Sequence, residues 1–203
     1  MADLPIDLGD GLTERLARVL DVEAKIPRAL DALGPMGGRD VLLLDGAGGI
    51  RARQLAELGA RVSFATTNGP AGIDAPDASA DVMVGLWTGF RGVTADERRE
   101  AARVLRPDGR FLVVLDYGRD DVSRLRGDLS EYGLLSRRDG PYLRGGYKVR
   151  VVHCFWTFDS QEETTTFLDE AFGEIGREVA ASLKRPRLSY NVAVYHRAFG
   201  VVS

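Results

Sequence analysis

With one cysteine in 203 residues the chain can form no internal disulfide. Cys154 falls in the strand-like run Val151 to Phe158, where a buried thiol is the expectation. Histidine is nearly as scarce, at two residues. His153 and His196 sit in two C-terminal strand-like runs, which makes a shared metal site conceivable. No third ligand stands at a sensible spacing, so packed or edge histidines are the simpler reading. Neither sign of charge dominates, with 27 Lys plus Arg against 30 Asp plus Glu, so no global field draws the chain to nucleic acid. No apolar run approaches the ~18 residues of a membrane helix. The start Met1-Ala2-Asp3-Leu4-Pro5 lacks the basic and apolar stretches of a secretion signal. These absences predict a cytoplasmic protein with no nucleic-acid partner and no membrane.

What is present is ordinary for one globular domain spanning 1–203: 44% hydrophobic and 28% charged residues. Residues 1–38 read as a helical extension. Leu12, Leu16, Val19 and Leu20 share one face; Ile26, Leu30 and Leu33 share another, after Pro27 interrupts the pattern. Val41 to Leu44 is an unbroken apolar run between turn residues, as in a strand buried on both faces. Ile50, Leu55 and Leu58 support a helix, then Val62, Phe64 and Ala65 a second strand. Asp81 to Leu86 reads as another buried strand. A helix follows, opened by the capping box Thr94 with Glu97, and Pro107-Asp108-Gly109 turns into the strand Phe111 to Leu115. A helix over Asp121 to Tyr132 and a basic, glycine-rich loop with Arg137, Arg138 and Arg144 come next. Tyr147 to Phe158, a helix capped by Ser160 with Glu163, and Tyr190 to Phe199 close the chain. Strands alternating with helices imply a mostly parallel, doubly wound α/β sheet, whose pocket lies at the carboxyl ends of the strands, beyond Leu44, Ala65, Trp87 and Asp116.

Asp45-Gly46-Ala47-Gly48-Gly49, between the best strand and a helix, lets the backbone come close to a ligand. The third glycine of a dinucleotide fingerprint is absent, since Arg51 stands there, and no acid near Thr66-Thr67-Asn68 could hold a ribose as in those folds. A phosphate loop is excluded because no Gly-Lys-Ser/Thr follows. Asp45 is the polar residue expected either to touch a ligand or to cap the next helix. Asp116 and Tyr117, ending a strand at the pocket edge, are candidates for acid, base or substrate anchor, or else for a helix cap and a packing ring. Of the aromatics, Trp87 is expected at the pocket; Trp156 and Phe90 are expected in the core.

The segments Val41 to Gly49, Leu55 to Val62, Pro76 to Val84 and Ala101 to Val114, with the turn Leu105-Arg106-Pro107-Asp108-Gly109, resemble the class I S-adenosylmethionine-dependent methyltransferases over residues 38 to 118. The resemblance implies a Rossmann-like sheet whose last strand is antiparallel, with S-adenosylmethionine as cofactor and a small molecule as methyl acceptor. Gly46, Ala47 and Gly48 would face the methionine part of the cofactor, with Asp45 and Gly49 beside them, and Leu86 and Trp87 would line the reacting end. The chain departs from the family in having Leu43 or Leu44 where an acid precedes the first glycine, with Asp45 directly against Gly46, and Ala65 to Asn68 where the second strand would end in an acid. Thr66 to Ala80 is too short for the family's third helix and strand, which are expected to be reduced or missing. The alternative function is a methyltransferase-like domain that binds or assembles without catalysis.

Overall fold

The computed structural model describes residues 4–46, 49–68, 72–127, 129 and 132–199. The N-terminal segment forms α1 (Asp10–Val19) and α2 (Lys25–Leu33). Their break precedes Pro27: Asp21 and Ala24 take φ of 57° and 52° there, and Pro27 lies in the first turn of α2, where its missing N–H is harmless. Then come β1 (Asp40–Leu44), α3 (Ile50–Glu57) and β2 (Arg61–Ala65), followed by two two-residue strands, β3 (Thr67–Asn68) and β4 (Gly72–Ile73). After β5 (Ala80–Leu86), α4 (Ala95–Val104) leads into β6 (Leu105–Asp116). Two short helices, α5 (Asp121–Leu125) and α6 (Pro141–Arg144), precede β7 (Lys148–Thr157), α7 (Gln161–Ser182) and β8 (Arg187–Phe199).

The main sheet has the order β2-β1-β5-β6-β8-β7. β1 is parallel to β2 and β5, and β5 to β6, whereas β8 runs antiparallel to both β6 and β7. The central strands carry apolar stretches, Val41–Leu44, Val82–Val84 and Phe111–Leu115, because they feed two cores. Val41 and Leu43, Val84 and Leu86, and Leu112 and Val114 face one, with residues of α1, α2, α3 and α7. Leu42 and Leu44, Met83, and Phe111 and Val113 face the other, under Ala101 and Val104 of α4. Among the described residues no strand stands where the resemblance expects a third one: β3 and β4 pair with each other, and β2 is an edge with Phe64 47% exposed.

Four details depart from the expectations. The Pro107–Gly109 turn persists inside β6 as an irregularity, with the register jumping from Ala80 opposite Leu105 to Val82 opposite Arg110 and Asp108 at φ 64°. The helix foreseen to Tyr132 stops at Leu125, and Gly127 at φ 79° turns the chain away. Ser160 caps α7 through the Glu163 N–H at 3.0 Å, but the Glu163 carboxylate takes the N–H of Asp159 at 2.9 Å instead of closing a reciprocal box. That helix is also broken at Gly173, φ 58°.

The Thr94 capping box is complete and larger than its motif. Glu97, 5% exposed, accepts N–H groups from Arg91 (2.9 Å), Val93 (3.0 Å) and Thr94 (2.9 Å), so one carboxylate shapes the loop between β5 and α4. Burial pushes its pKa up, but these hydrogen bonds hold it below the usual carboxylate value. A lowered folded-state pKa adds stability that is complete above the unfolded value and fades as pH falls through the folded one. Glu97→Gln should therefore lower stability by about 1–3 kcal/mol near neutrality. In thermal melts the gap to wild type should close on acidification below the ordinary carboxylate range; a pH-independent gap would contradict this account.

Candidate active site

The order reversal in the sheet lies between β1 and β5, where ligands of open α/β sheets bind. Both strands leave the sheet through a residue with left-handed backbone, Asp45 at φ 54° and Trp87 at φ 50°. Asp tolerates this conformation; for Trp it is uncommon, and such outliers concentrate at functional sites. From these two positions the side chains diverge.

The Asp45 carboxylate does not cap α3, whose N-cap is Gly49. It accepts the Thr67 backbone N–H at 2.8 Å, lies 3.0 and 2.9 Å from the Thr67 hydroxyl, and accepts a short hydrogen bond from the Thr88 hydroxyl. Asp45 thus ties the end of β1 to the residues following β2 and β5. Gly46 is half-buried beside it. Ala47 and Gly48 lie outside the described residues. Leu86, 1% exposed, belongs to the core beneath the site.

Trp87 points the other way, toward β6, and its indole N–H donates to Asp116 Oδ1 at 2.9 Å. The buried Tyr190 hydroxyl of β8 donates to the same oxygen, and the Arg126 guanidinium, just past α5, donates to Oδ2, both through short contacts. Burial and the adjacent Asp116 charge raise the Tyr190 pKa well above the usual phenol value, keeping it a neutral donor. Asp116 is therefore not a helix cap; α5 is capped by Asp120, which accepts the Ser123 N–H at 2.7 Å. Trp87, Asp116 and Arg126 line a cavity of about 120 Å³ with Arg91, Leu115 and Leu135.

No family model matches the chain, and no curated protein sequence matches it. Solved structures do. A proposed Type II methyltransferase from Anaeromyxobacter dehalogenans superposes with TM-score 0.51 at 19% identity, over 86% of this chain and 95% of that one. The fold is that of the class I methyltransferases. A SAM-dependent methyltransferase from Thiobacillus denitrificans, solved with S-adenosyl-L-homocysteine, gives TM-score 0.49 at 16% identity over 94% and 99% of the two chains. A proposed methyltransferase from Bacillus halodurans gives 0.49 at 13% over 87% and 99%. At these identities the likeness is one of fold.

Against the methyltransferase frame, the acid expected at the end of β2 is replaced by exposed Thr66 and Asn68, with Thr67 engaged by Asp45. His153 stands opposite Asn191 and His196 opposite Lys148, so the strands do not bring the histidines together. No group of three or more metal-ligating side chains occurs among the described residues. Cys154 is buried, and burial raises its pKa, as expected of a structural thiol. Trp156 and Phe90 are core residues, 0% and 3% exposed. No helix among the described residues is long and apolar enough to cross a membrane. Sequence reasoning singled out Asp116 and Trp87 but not Tyr190, which reads as a strand aromatic, nor Arg126, which reads as a helix charge, nor Thr88 beside Asp45, which carries no motif. The one available signal was that all follow or face the carboxyl ends of adjacent strands.

Proposed function

We propose that the protein is an S-adenosylmethionine-dependent methyltransferase acting on a small molecule. The observation that carries this reading is the row of polar groups at the order reversal, Thr67, Asp45 and Thr88 on one side and Trp87, Asp116 and Arg126 on the other, beside a cavity. When bound, the cofactor supplies a methyl group activated by a sulfonium. The described residues suit its methionine end: Gly46 and Gly49 present no side chain where β1 hands over to α3, so the backbone can approach a ligand closely. For the ribose they offer neutral groups, Asn68 and Thr66, which make weaker hydrogen bonds than a carboxylate. Leu86 and Trp87 would form the floor and side of the reacting end. Transfer from a sulfonium gains most from holding nucleophile and methyl carbon close and in line, which a small cavity with fixed walls does without a dedicated base.

Calorimetry with S-adenosylmethionine and S-adenosylhomocysteine tests the proposal. Binding of both is expected. Asp45→Ala, which removes the tethers to Thr67 and Thr88 and places Ala at a positive φ, should weaken it about tenfold. A second reading, a domain that keeps the fold but no longer catalyses, draws on the missing ribose acid and on the hydrogen bond from Thr88 to Asp45 across the crevice. Absence of heat and of thermal shift with either ligand at millimolar concentration would favour that second reading and end the first.

A further inference from the structure

β7 is an outermost strand of the main sheet, and its free edge is covered at one end. There the segment after α1 pairs with it: Leu20 bridges Trp156 in antiparallel sense, and the Asp21 N–H donates to the Phe155 carbonyl at 2.9 Å. Phe155 therefore turns its backbone groups away from β8. In an antiparallel ladder that orientation recurs at every second residue, so Val149, Val151 and His153 also present their N–H and C=O outward. Among the described residues no group pairs with these backbone atoms. Beside this open stretch α2 and β7 form a groove of about 390 Å³, lined by Lys25, Arg28 and Arg150 with Ala29 and Val152. No carboxylate lines it. Lys25 is answered by Glu23 at 2.6 Å, and Arg187 lies 3.9 Å from the same carboxylate. Arg28 and Arg150 are exposed and form no ion pair among the described residues; Arg28 donates to the neutral Glu23 carbonyl at 2.6 Å.

We propose that this edge takes up an extended, acidic segment of another protein as an added strand. The outward N–H and C=O groups of Val149, Val151 and His153 pair with any extended chain, and Arg28 and Arg150 select acidic side chains on the α2 side of it. On the opposite face the added strand meets Val149 and Val151, both half-buried. Acidic residues therefore alternate with apolar β-branched ones in the segment that fits. A second copy of this chain fits poorly. Pairing β7 with itself sets Lys148 and Arg150 of one copy against the same cations of the other, and like charges on neighbouring strands repel. The proposal is independent of the methyl-transfer reading, because β6 and β8 separate β7 from β5.

The probe is a labelled peptide, Thr-Glu-Val-Glu-Val-Glu-Thr with blocked ends, compared by fluorescence anisotropy with its counterpart carrying Lys in place of Glu. The Glu peptide should bind saturably, at least about tenfold more tightly than the Lys peptide, and more weakly as salt is raised. Hydrogen exchange read by NMR supplies the geometric check. Binding should slow exchange at the Val149, Val151 and His153 amides, whereas the Arg150 and Val152 amides, already laddered to β8, should not respond. Arg150→Glu should reverse the preference between the two peptides. Val151→Pro should abolish binding, since its N–H leaves the sheet and proline is accepted at such edge positions; if that variant fails to fold, exposed Arg150→Glu carries the test. Lysine and arginine also guard sheet edges against pairing, and that role alone predicts no binding at millimolar Glu peptide, which would overturn the proposal. So would equal affinity for the two peptides, binding without the alternating protection, or tighter binding of a single-stranded DNA oligonucleotide, which would mark the groove as a nucleic-acid surface.

Discussion

Asp21→Ala should lower stability by about 3–5 kcal/mol, because it strands a buried arginine without its carboxylate. Asp21 and Arg51 have side chains 1% exposed each, with Arg51 Nη1 3.5 Å from Asp21 Oδ2. The same carboxylate accepts the N–H groups of Lys25 at 2.9 Å and Ile26 at 2.7 Å, so it also caps the first turn of α2. Arg51 donates further to the Leu20 carbonyl at 3.1 Å and to Gln54 at 2.7 Å. Set against a typical total of 5–15 kcal/mol, the loss would leave the variant near its unfolding limit. Denaturant melts of Asp21→Ala, Arg51→Met and the double variant form a cycle that isolates the pair. The double variant should recover part of the loss, since removing both charges avoids leaving a buried guanidinium without the Asp21 carboxylate. A single-variant cost below about 1 kcal/mol, within what an exposed pair contributes, would contradict the account. The consequence reaches the site: Arg51 is the second residue of α3, the helix entered from the glycine turn. The N-terminal segment thus pins the start of that helix, and any Asp21→Ala protein that remains folded should also bind S-adenosylmethionine more weakly.

That pair marks where reading the sequence stopped. Arg51 registers there only as the residue that breaks a dinucleotide fingerprint, and Asp21 not at all, because a contact between residues thirty positions apart leaves no periodic trace. The sheet was legible for the opposite reason. Strands buried on both faces, such as Val41 to Leu44 and Phe111 to Leu115, must be continuously apolar, and the turns beside them are spelled in glycine and proline. The loss of the third strand was legible as a shortage of residues between Ala65 and Ala80. Helix ends were less so: α5 looks extendable to Tyr132 by its apolar spacing, and only the left-handed Gly127 stops it. Asp45 and Trp87 follow the ends of β1 and β5, yet which way they turn depends on Thr67, Thr88 and Asp116, whose approach the fold alone creates.

Asp116→Ala should cost about 2–4 kcal/mol and loosen the Trp87 side of the site. Three donors converge on this carboxylate from three separate elements: the Trp87 indole after β5, the Tyr190 hydroxyl of β8 and the Arg126 guanidinium after α5. Removing it leaves a hydroxyl in a residue 1% exposed, an indole N–H and a charge in want of an acceptor, and each such group costs about 1–3 kcal/mol when it cannot reach water. The guanidinium, with 22% of its side chain exposed, can turn outward, which limits the total. Asp116→Asn keeps the shape and one accepting oxygen but loses the charge, so it should fall between the alanine variant and Tyr190→Phe, which removes a single hydrogen bond at about 1 kcal/mol. Methyl transfer should respond more steeply than stability. Trp87 is held in its left-handed turn by this network, and displacement of a positioning wall by about 1 Å can cost on the order of 100-fold in rate. Asp116→Asn is therefore expected to retain S-adenosylmethionine affinity, because the contacts of Asp45 lie on the far side of Trp87, while turnover drops sharply. Equal losses of cofactor binding and turnover would mean that Asp116 supports the whole domain and not the Trp87 wall alone; the order alanine, asparagine, Tyr190→Phe in stability would fail if Tyr190→Phe proved the most damaging of the three.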